Sequence, residues 1–197
     1  AYARLKGIGV VIGTYGAGVL NMVNPISEAY AEKSPVVVIS GAPDMAGRDP
    51  GQLIHHKVKM FDTQLRVYAE MTAASAALED PKTAAREIMR VLDAVRREKR
   101  PGYLEIPRDM AWADIGEAEA WTPVAPQRDR AALAEAMQEI TVRLNRSRSP
   151  MILAGIDIMR LGLRDQLIRL AERYNLPVAT SFMGKAVFPE HHPNFIG

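Results

Sequence analysis

The sequence contains no cysteine, which excludes disulfide bonds and thiolate metal sites. Long apolar runs are also missing, since the longest, such as residues 35–39, are far too short to cross a bilayer. The formal net charge is only +2 over 197 residues, which gives no electrostatic reason to expect binding to nucleic acid or to a membrane surface. With 48% apolar and 24% charged residues, the composition predicts a soluble globular protein, and the absence of cysteine fits a cytoplasmic location.

Both ends of the sequence are abrupt. The chain begins at Ala1 without an initiator methionine or a signal-peptide pattern, and it stops at Gly197 without a helix cap or a polar tail. We therefore expect both ends to be cuts through a longer protein, of which this chain is an internal piece.

Short β-branched runs alternate with amphipathic segments, a pattern typical of parallel sheets covered by helices. Strands are predicted over about residues 8–12, 35–40, 73–78, 102–106, 151–154 and 177–181. Helices are predicted over about residues 19–33, 61–71, 81–98, 129–145 and 163–174, with a short helical stretch through His55 and His56. Asp80 and Pro81 form the clearest helix start, as N-cap and first-turn residue. The sequence thus predicts α/β architecture with doubly wound parallel sheets.

Periodicity is lost over residues 113–127, where Asp, Glu, Gly and Pro dominate. This stretch is the predicted linker between one domain over residues 1–112 and the beginning of a second over residues 128–197.

The first predicted strand is followed by glycines at the start of a helix. The spacing departs from a dinucleotide-binding loop because Asn21 stands where a third glycine is needed, and no strand-end acid lies at the expected distance. Gly16 and Gly18 still permit close approach of a flat ligand to backbone at a helix N-terminus. A glycine turn that serves only strand-to-helix packing is equally compatible with the sequence.

His55 and His56 are the sharpest chemical feature. On a helix their side chains would point about 100° apart, which disfavours a shared metal ion, and a third ligand at zinc-site spacing is missing. Two imidazoles near a glycine-bearing loop suit proton transfer and polar substrate contacts near neutral pH. A plain surface feature is the alternative, and His191–His192 is expected to face solvent.

Three polar residues follow the histidines at alternate positions. Asp62, Gln64 and Arg66 could orient an imidazole or a carboxylate, but an exposed polar helix face is the favoured interpretation.

The order of these features resembles thiamine-diphosphate enzymes of the pyruvate decarboxylase group, particularly the indolepyruvate and phenylpyruvate decarboxylases. The matching stretches are residues 1–4, 14–18, 21–24, 29–35, 39–43, 53–56, 61–64, 101–107, 150–155 and 183–185. They cover nearly the whole chain, and the paired histidines separate decarboxylases from the related acetolactate synthases.

The resemblance implies a role for each candidate residue. Residues 1–112 would be most of the pyrimidine-binding domain, with Thr14, Tyr15, Gly16 and Ala17 against the aminopyrimidine ring of thiamine diphosphate. His55 and His56 would be catalytic, contacting the 2-oxo acid substrate and delivering a proton after carbon dioxide leaves. Residues 128–197 would begin the middle domain.

The resemblance also implies parts that this chain does not carry. The family's activating glutamate lies upstream of residue 1, and the domain that holds Mg²⁺ and the diphosphate has a motif that is absent from this sequence. The chain alone is expected to be inactive, and the full-length protein is expected to be a homodimer or homotetramer. A thiamine-diphosphate carboligase, an oxidase and a non-catalytic α/β binding module remain as alternatives.

Overall fold

The computed structural model describes residues 1–49, 51–117, 122, 125 and 129–197. The chain divides into two compact units, residues 1–125 and 126–197. Most of the predicted linker, 113–127, lies outside the described residues. Among the residues described, no helix combines the length and the apolar character that crossing a membrane requires.

A parallel sheet of four strands forms the centre of the first unit. The helices are α1 (Tyr2–Lys6), α2 (Ala17–Leu20), α3 (Val23–Ala31), α4 (Thr63–Ala69) and α5 (Pro81–Glu98). The strands are β1 (Gly9–Gly13), β2 (Val36–Ala42), β3 (Ala74–Ala77) and β4 (Gly102–Pro107), in the spatial order β1-β2-β4-β3. Because each strand runs parallel to its neighbours, the chain crosses over through helices.

Helices cover both faces of this sheet. Val37 and Leu104 meet the buried Val91 and Val95 of α5 on one face. On the other face Val38, one residue further along β2, belongs to a cluster with α2, α3 and α4. Successive strand residues point to opposite faces, so the β-branched run of β2 is buried from both sides. The predicted doubly wound α/β sheet is confirmed.

A stacked pair of tyrosines links α4 to the sheet. The rings of Tyr68 and Tyr103 lie 4.3 Å apart between centroids at an interplanar angle of 10°, and both residues are fully buried. The Tyr68 hydroxyl donates to the Val19 carbonyl oxygen at 2.6 Å, so its polar end is satisfied.

The helix α5 begins as predicted. Asp80 Oδ1 accepts from the Lys82 backbone N–H at 2.9 Å, and Pro81 occupies the first turn, where no amide hydrogen is needed. The helix ends at Lys99, which adopts a left-handed conformation with φ of 57°.

The single helix predicted over residues 19–33 is wrong, because two helices, α2 and α3, occupy this stretch. Pro25 has no amide hydrogen with which to reach the Asn21 carbonyl. The chain turns at this point, with the Met22 N–H bonded to the Val19 carbonyl at 2.9 Å, and α3 begins at the next residue.

The second unit contains a two-stranded parallel sheet. Its elements are α6 (Arg130–Arg146), β5 (Ile152–Ala154), α7 (Asp157–Arg160), α8 (Arg164–Tyr174) and β6 (Val178–Thr180). Ala154 and Val178 of the strands meet Leu167 and Ala171 of α8 and the fully buried Phe188. These contacts form a core of its own, as expected for an α/β unit.

Candidate active site

The carboxyl ends of β1, β2 and β4 meet at one edge of the first sheet, the edge where parallel sheets bind ligands. Strand register aligns Gly13 with Ser40 and Ser40 with Glu105. The segments that follow these strands therefore converge, although they are far apart in the sequence.

A cleft of about 440 Å³ opens at this edge. It is lined by Thr14, Tyr15, Gly41, Ala42, Pro43, Asp44, Gly47, Gln52, Ile54, His55, His56 and Arg108. The predicted loop residues Thr14 and Tyr15 and both predicted histidines thus share one cavity. The other two predicted loop residues, Gly16 and Ala17, are not among the lining residues: Gly16 is buried, and Ala17 begins α2, exposed to solvent.

Gly16 joins the loop to the histidine turn. Its φ of 70° is left-handed, and a Cβ built on it would come within 2.7 Å of the His56 Cβ and still closer to the His56 carbonyl oxygen. Only glycine permits both this conformation and this approach. The close-approach role predicted for Gly16 therefore has a physical partner, which is protein backbone in this structure.

The helical stretch predicted through His55 and His56 is wrong. The two residues lie on a turn closed by the Lys57 N–H and the Ile54 carbonyl at 3.0 Å, and His56 has a left-handed φ of 69°. The rings consequently contact each other, with centroids 3.8 Å apart and planes at 58°, rather than diverging as on a helix. Both side chains are exposed at the cleft, which leaves their ring nitrogens accessible to a ligand.

One cation lies in the cleft wall beside the histidines. Arg108 Nε donates to Asp44 Oδ1 at 2.8 Å, and a second bond joins Nη2 to Oδ2. The Arg108 hydrogen bond lowers the pKa of Asp44, and Asp44 in turn raises the pKa of Arg108, so both stay ionised near neutral pH. The sequence reasoning did not single out this pair. Its signal is position, since each residue follows a strand that ends at this edge.

A buried polar network lies beneath the cleft, between α4 and the sheet. Gln64 Oε1 accepts from the Gly16 N–H at 2.8 Å, and Gln64 Nε2 donates to Ser40 Oγ at 2.9 Å and to Glu105 Oε2 at 3.0 Å. The Tyr103 hydroxyl donates to the same Glu105 oxygen at 2.8 Å. Burial raises the pKa of Glu105 despite these donors, and burial with the Glu105 charge raises the pKa of Tyr103.

The favoured interpretation of residues 62–66 is therefore half wrong. Asp62 and Arg66 form an exposed ion pair at 3.2 Å, as an exposed helix face requires. Gln64 is only 2% exposed, because it lies on the face of α4 that carries Tyr68 four residues later. That spacing from a large aromatic residue was the available signal.

The second histidine pair is only partly as expected. His191 is exposed, whereas the His192 ring packs against Phe188 at 5.0 Å between centroids and places Nε2 3.3 Å from Glu172. Within the described part of the chain, no group of three or more potential metal ligands is brought together.

The parallel sheet with a cleft at its carboxyl edge defines an α/β ligand-binding domain of the kind found in cofactor-dependent enzymes. Residues 1–66 match the family described as "Thiamine pyrophosphate enzyme, N-terminal TPP binding domain". Residues 137–197 match "Thiamine pyrophosphate enzyme, central domain". The chain therefore belongs to the thiamine pyrophosphate enzymes, and the family predicted from the sequence is confirmed.

Curated relatives agree with this family. The chain is 45% identical over 186 residues to an indole-3-pyruvate decarboxylase of Azospirillum brasilense, a match that covers 93% of the chain and 33% of that relative. It is 34% identical to an alpha-keto-acid decarboxylase of Mycobacterium tuberculosis and 33% identical to a pyruvate decarboxylase of Aspergillus parasiticus. Each of these two matches covers the whole chain and 35% of the relative. The chain thus spans about a third of the length of the relatives it matches.

Proposed function

We propose that this chain is part of a thiamine-diphosphate-dependent decarboxylase that converts an aryl-substituted 2-oxo acid, indolepyruvate or phenylpyruvate, to the aldehyde and carbon dioxide. One observation carries the proposal: the loop at Thr14 and Tyr15 and the turn at His55 and His56 line the same cleft. The name of the Azospirillum brasilense relative supports the aryl substrate.

The loop residues Thr14, Tyr15, Gly16 and Ala17 would lie against the aminopyrimidine ring. Gly41 also lines the cleft, and a Cβ built there would meet no atom within 4 Å, so the backbone at this position leaves open space that a flat ring could occupy. The bound cofactor supplies the electron sink for decarboxylation. Residues 1–112 would then be most of the pyrimidine-binding domain, residues 113–127 the linker, and residues 128–197 the start of the middle domain.

The cleft is proposed to take the ring end of the cofactor. From the family resemblance, we propose that the domain holding Mg²⁺ and the diphosphate lies outside this chain. We propose that the full-length protein is a homodimer or homotetramer, in which a second subunit would supply the Mg²⁺ site. We also propose a cytoplasmic location.

His55 and His56 would contact the substrate carboxylate and deliver the proton that completes aldehyde formation. Exposed imidazoles suit this role because an imidazole can both donate and accept a proton, so one ring can donate while its neighbour accepts a hydrogen bond. Because the ring centroids lie 3.8 Å apart, both rings could contact one substrate group.

The test is carbon dioxide release by the full-length protein from indolepyruvate, phenylpyruvate and pyruvate, with thiamine diphosphate and Mg²⁺ present or omitted. Cofactor-dependent release that is fastest with an aryl substrate is the expected result. Cofactor binding with carbon–carbon bond formation in place of aldehyde release would indicate a carboligase. Absence of both release and cofactor binding would overturn the proposal and favour a binding module.

A further inference from the structure

One buried carboxamide connects the floor of the cleft to its loop. Gln64 is 2% exposed, and it bonds to residues 24, 39, 41 and 48 positions away in the sequence. Its Oε1 accepts a hydrogen bond from the Gly16 N–H at 2.8 Å, while Nε2 points toward the sheet. A buried polar group with partners on both sides fixes the separation of the elements that it joins.

Glu105 determines which way this carboxamide is turned. The Glu105 carboxyl already accepts from the Tyr103 hydroxyl at 2.8 Å, so the Gln64 atom facing it must be a donor, which is Nε2. The opposite atom, Oε1, is then an acceptor and faces the Gly16 N–H. If the Gln64 carboxamide were reversed, its N–H would face the Gly16 N–H and its oxygen would face the Glu105 carboxyl, so neither hydrogen bond would form.

Gly16 contacts the histidine turn, so its position, which the hydrogen bond to Gln64 fixes, also affects the position of His56. Its Cα lies so close to the His56 backbone that no side chain fits between them. The Gly16 amide bonded to Gln64 belongs to the same residue, so a shift of the Gln64 carboxamide displaces the loop relative to the turn.

We propose that Gln64 is a positioning residue for the reaction, which holds the Thr14–Ala17 loop against the His55–His56 turn, with Glu105 holding Gln64 in the required orientation. The inference rests on the proposed function. Gln64 touches neither the cleft nor a reacting group, since its side chain lies beneath Gly16. Misplacement of about 1 Å at a catalytic site can lower a rate by about 100-fold, which is the scale of effect expected here.

The discriminating variant is Gln64→Glu, which keeps the side-chain length and the acceptor for the Gly16 N–H. It places a second carboxyl next to Glu105, and ionising both carboxyls in contact in a buried site is strongly unfavourable. At low pH the pair shares a proton, which preserves the donor toward Glu105, whereas at high pH the loss of that proton leaves two carboxylates that repel each other. We therefore expect kcat to fall by about 10- to 100-fold at pH 8, with a much smaller loss at pH 5.5.

Other charged and titratable groups face this pair. Arg48 Nη2 lies 3.9 Å from Glu105 Oε1, and Arg48 is also paired with Glu79. Tyr103 contacts both Gln64 and Glu105. Burial and, to a lesser extent, the Glu105 charge raise the pKa of Tyr15. The positive charge of Arg48 partly compensates the Glu105 carboxylate. The pH profile of Gln64→Glu therefore reports the ionisation of the added second carboxyl.

Rescue provides a sharper readout. The double variant Gln64→Glu with Glu105→Gln exchanges the carboxyl and the carboxamide, so one of each remains and the donor now comes from position 105. We expect its kcat to return to within about threefold of wild type with a flat profile between pH 5.5 and 8. One donor–acceptor pair between the two positions is restored, and the Ser40 and Tyr103 hydroxyls, which donate as well as accept, can turn toward the carboxylate at position 64. The matched control is Gln138→Glu on the exposed surface of α6, which should leave kcat unchanged.

Hydrogen exchange of the Gly16 amide in the cofactor-free, full-length protein separates this inference from the proposed function. At pH 8 exchange should be faster in Gln64→Glu than in wild type and restored in the double variant. If wild type releases no carbon dioxide, the proposed function fails and the exchange data still decide the role of Gln64. The inference is overturned if Gln64→Glu keeps wild-type kcat at pH 8, or if the double variant is no better than Gln64→Glu. Should Gln64→Glu not fold at pH 8, the double variant decides alone.

Discussion

The two parallel sheets of this chain use their carboxyl edges in opposite ways. At the edge of β1, β2 and β4, polar and ionisable residues surround a cleft, and a buried network lies beneath it. At the edge of β5 and β6, Ser181 and Gly184 close a tight turn against Ala154, and a Cβ on Gly184 would lie 2.5 Å from the Ala154 carbonyl oxygen. The first edge is arranged for ligands and the second is filled by backbone.

The difference shows that parallel topology alone does not define a site. Strand ends converge in both sheets, but at the second the convergence is used for packing around Ala154 and Val178. On the proposed function, substitutions at the first edge should change catalysis, whereas substitutions at the second should change stability alone.

The largest effect is expected for the histidines. His55→Ala and His56→Ala should each lower kcat by about 100- to 10,000-fold, because the proposed function assigns proton delivery to these two side chains. The affinity for thiamine diphosphate should change much less, as measured by cofactor titration. His191→Ala, an exposed histidine, is the matched control. Equal losses of kcat and of cofactor affinity would indicate a structural role for the turn.

Gly16→Ala should come next, because it strains the contact between the loop and the histidine turn. A left-handed φ and the clash with His56 should reduce the free energy of unfolding by about 1–3 kcal/mol, and kcat should fall as well. Gly51→Ala is the control, since its Cβ would meet only the Asp49 side chain at 3.7 Å. Denaturant unfolding and steady-state kinetics measure the two effects, and a stable Gly16→Ala variant with normal kcat would contradict the steric account.

Gly184→Ala tests the second edge. Overpacking against Ala154 should lower the free energy of unfolding by about 1–3 kcal/mol, while kcat of the folded protein stays close to wild type. Gly155→Ala offers a control in the same turn, because its Cβ would approach only Ser181 Oγ at 4.0 Å. A selective loss of kcat without a loss of stability would show that this edge takes part in catalysis.

The smallest effect concerns the pH dependence of stability through Glu105. Burial raises its pKa in the folded protein, so its contribution to stability is fully present below the unfolded pKa and is lost as pH rises through the folded pKa. Glu105→Gln removes this titration. The free energy of unfolding of the variant should therefore improve relative to wild type as pH rises from about 4. Urea unfolding at several pH values measures the difference, and parallel curves for the two proteins would contradict it.

Most of the fold could be predicted because its signals are local. The β-branched run of β2 and the Asp80 cap of α5 act through residues close in the sequence. The break between α2 and α3 was missed, although Pro25 was visible.

The site was less predictable because its contacts are distant. Gln64 depends on Gly16, 48 residues away, and Arg108 on Asp44, 64 residues away. The positive φ of His56 is uncommon for a residue other than glycine, so the turn at this position was not predicted from the sequence. The family resemblance nevertheless selected the histidines and the loop that the structure brings to one cleft.

The stacked tyrosines beneath the cleft give the protein a built-in optical reporter. Burial raises the pKa of Tyr68 to about 12, and the pKa of Tyr103 is raised as well. Exposed phenols ionise near pH 10 and change their ultraviolet absorbance, whereas this buried pair stays largely neutral at that pH. Two rings held 4.3 Å apart in an asymmetric setting also contribute to near-ultraviolet circular dichroism. Because Tyr103 contacts Gln64 directly, a change in the near-ultraviolet circular dichroism would report a rearrangement around Gln64 in the absence of substrate.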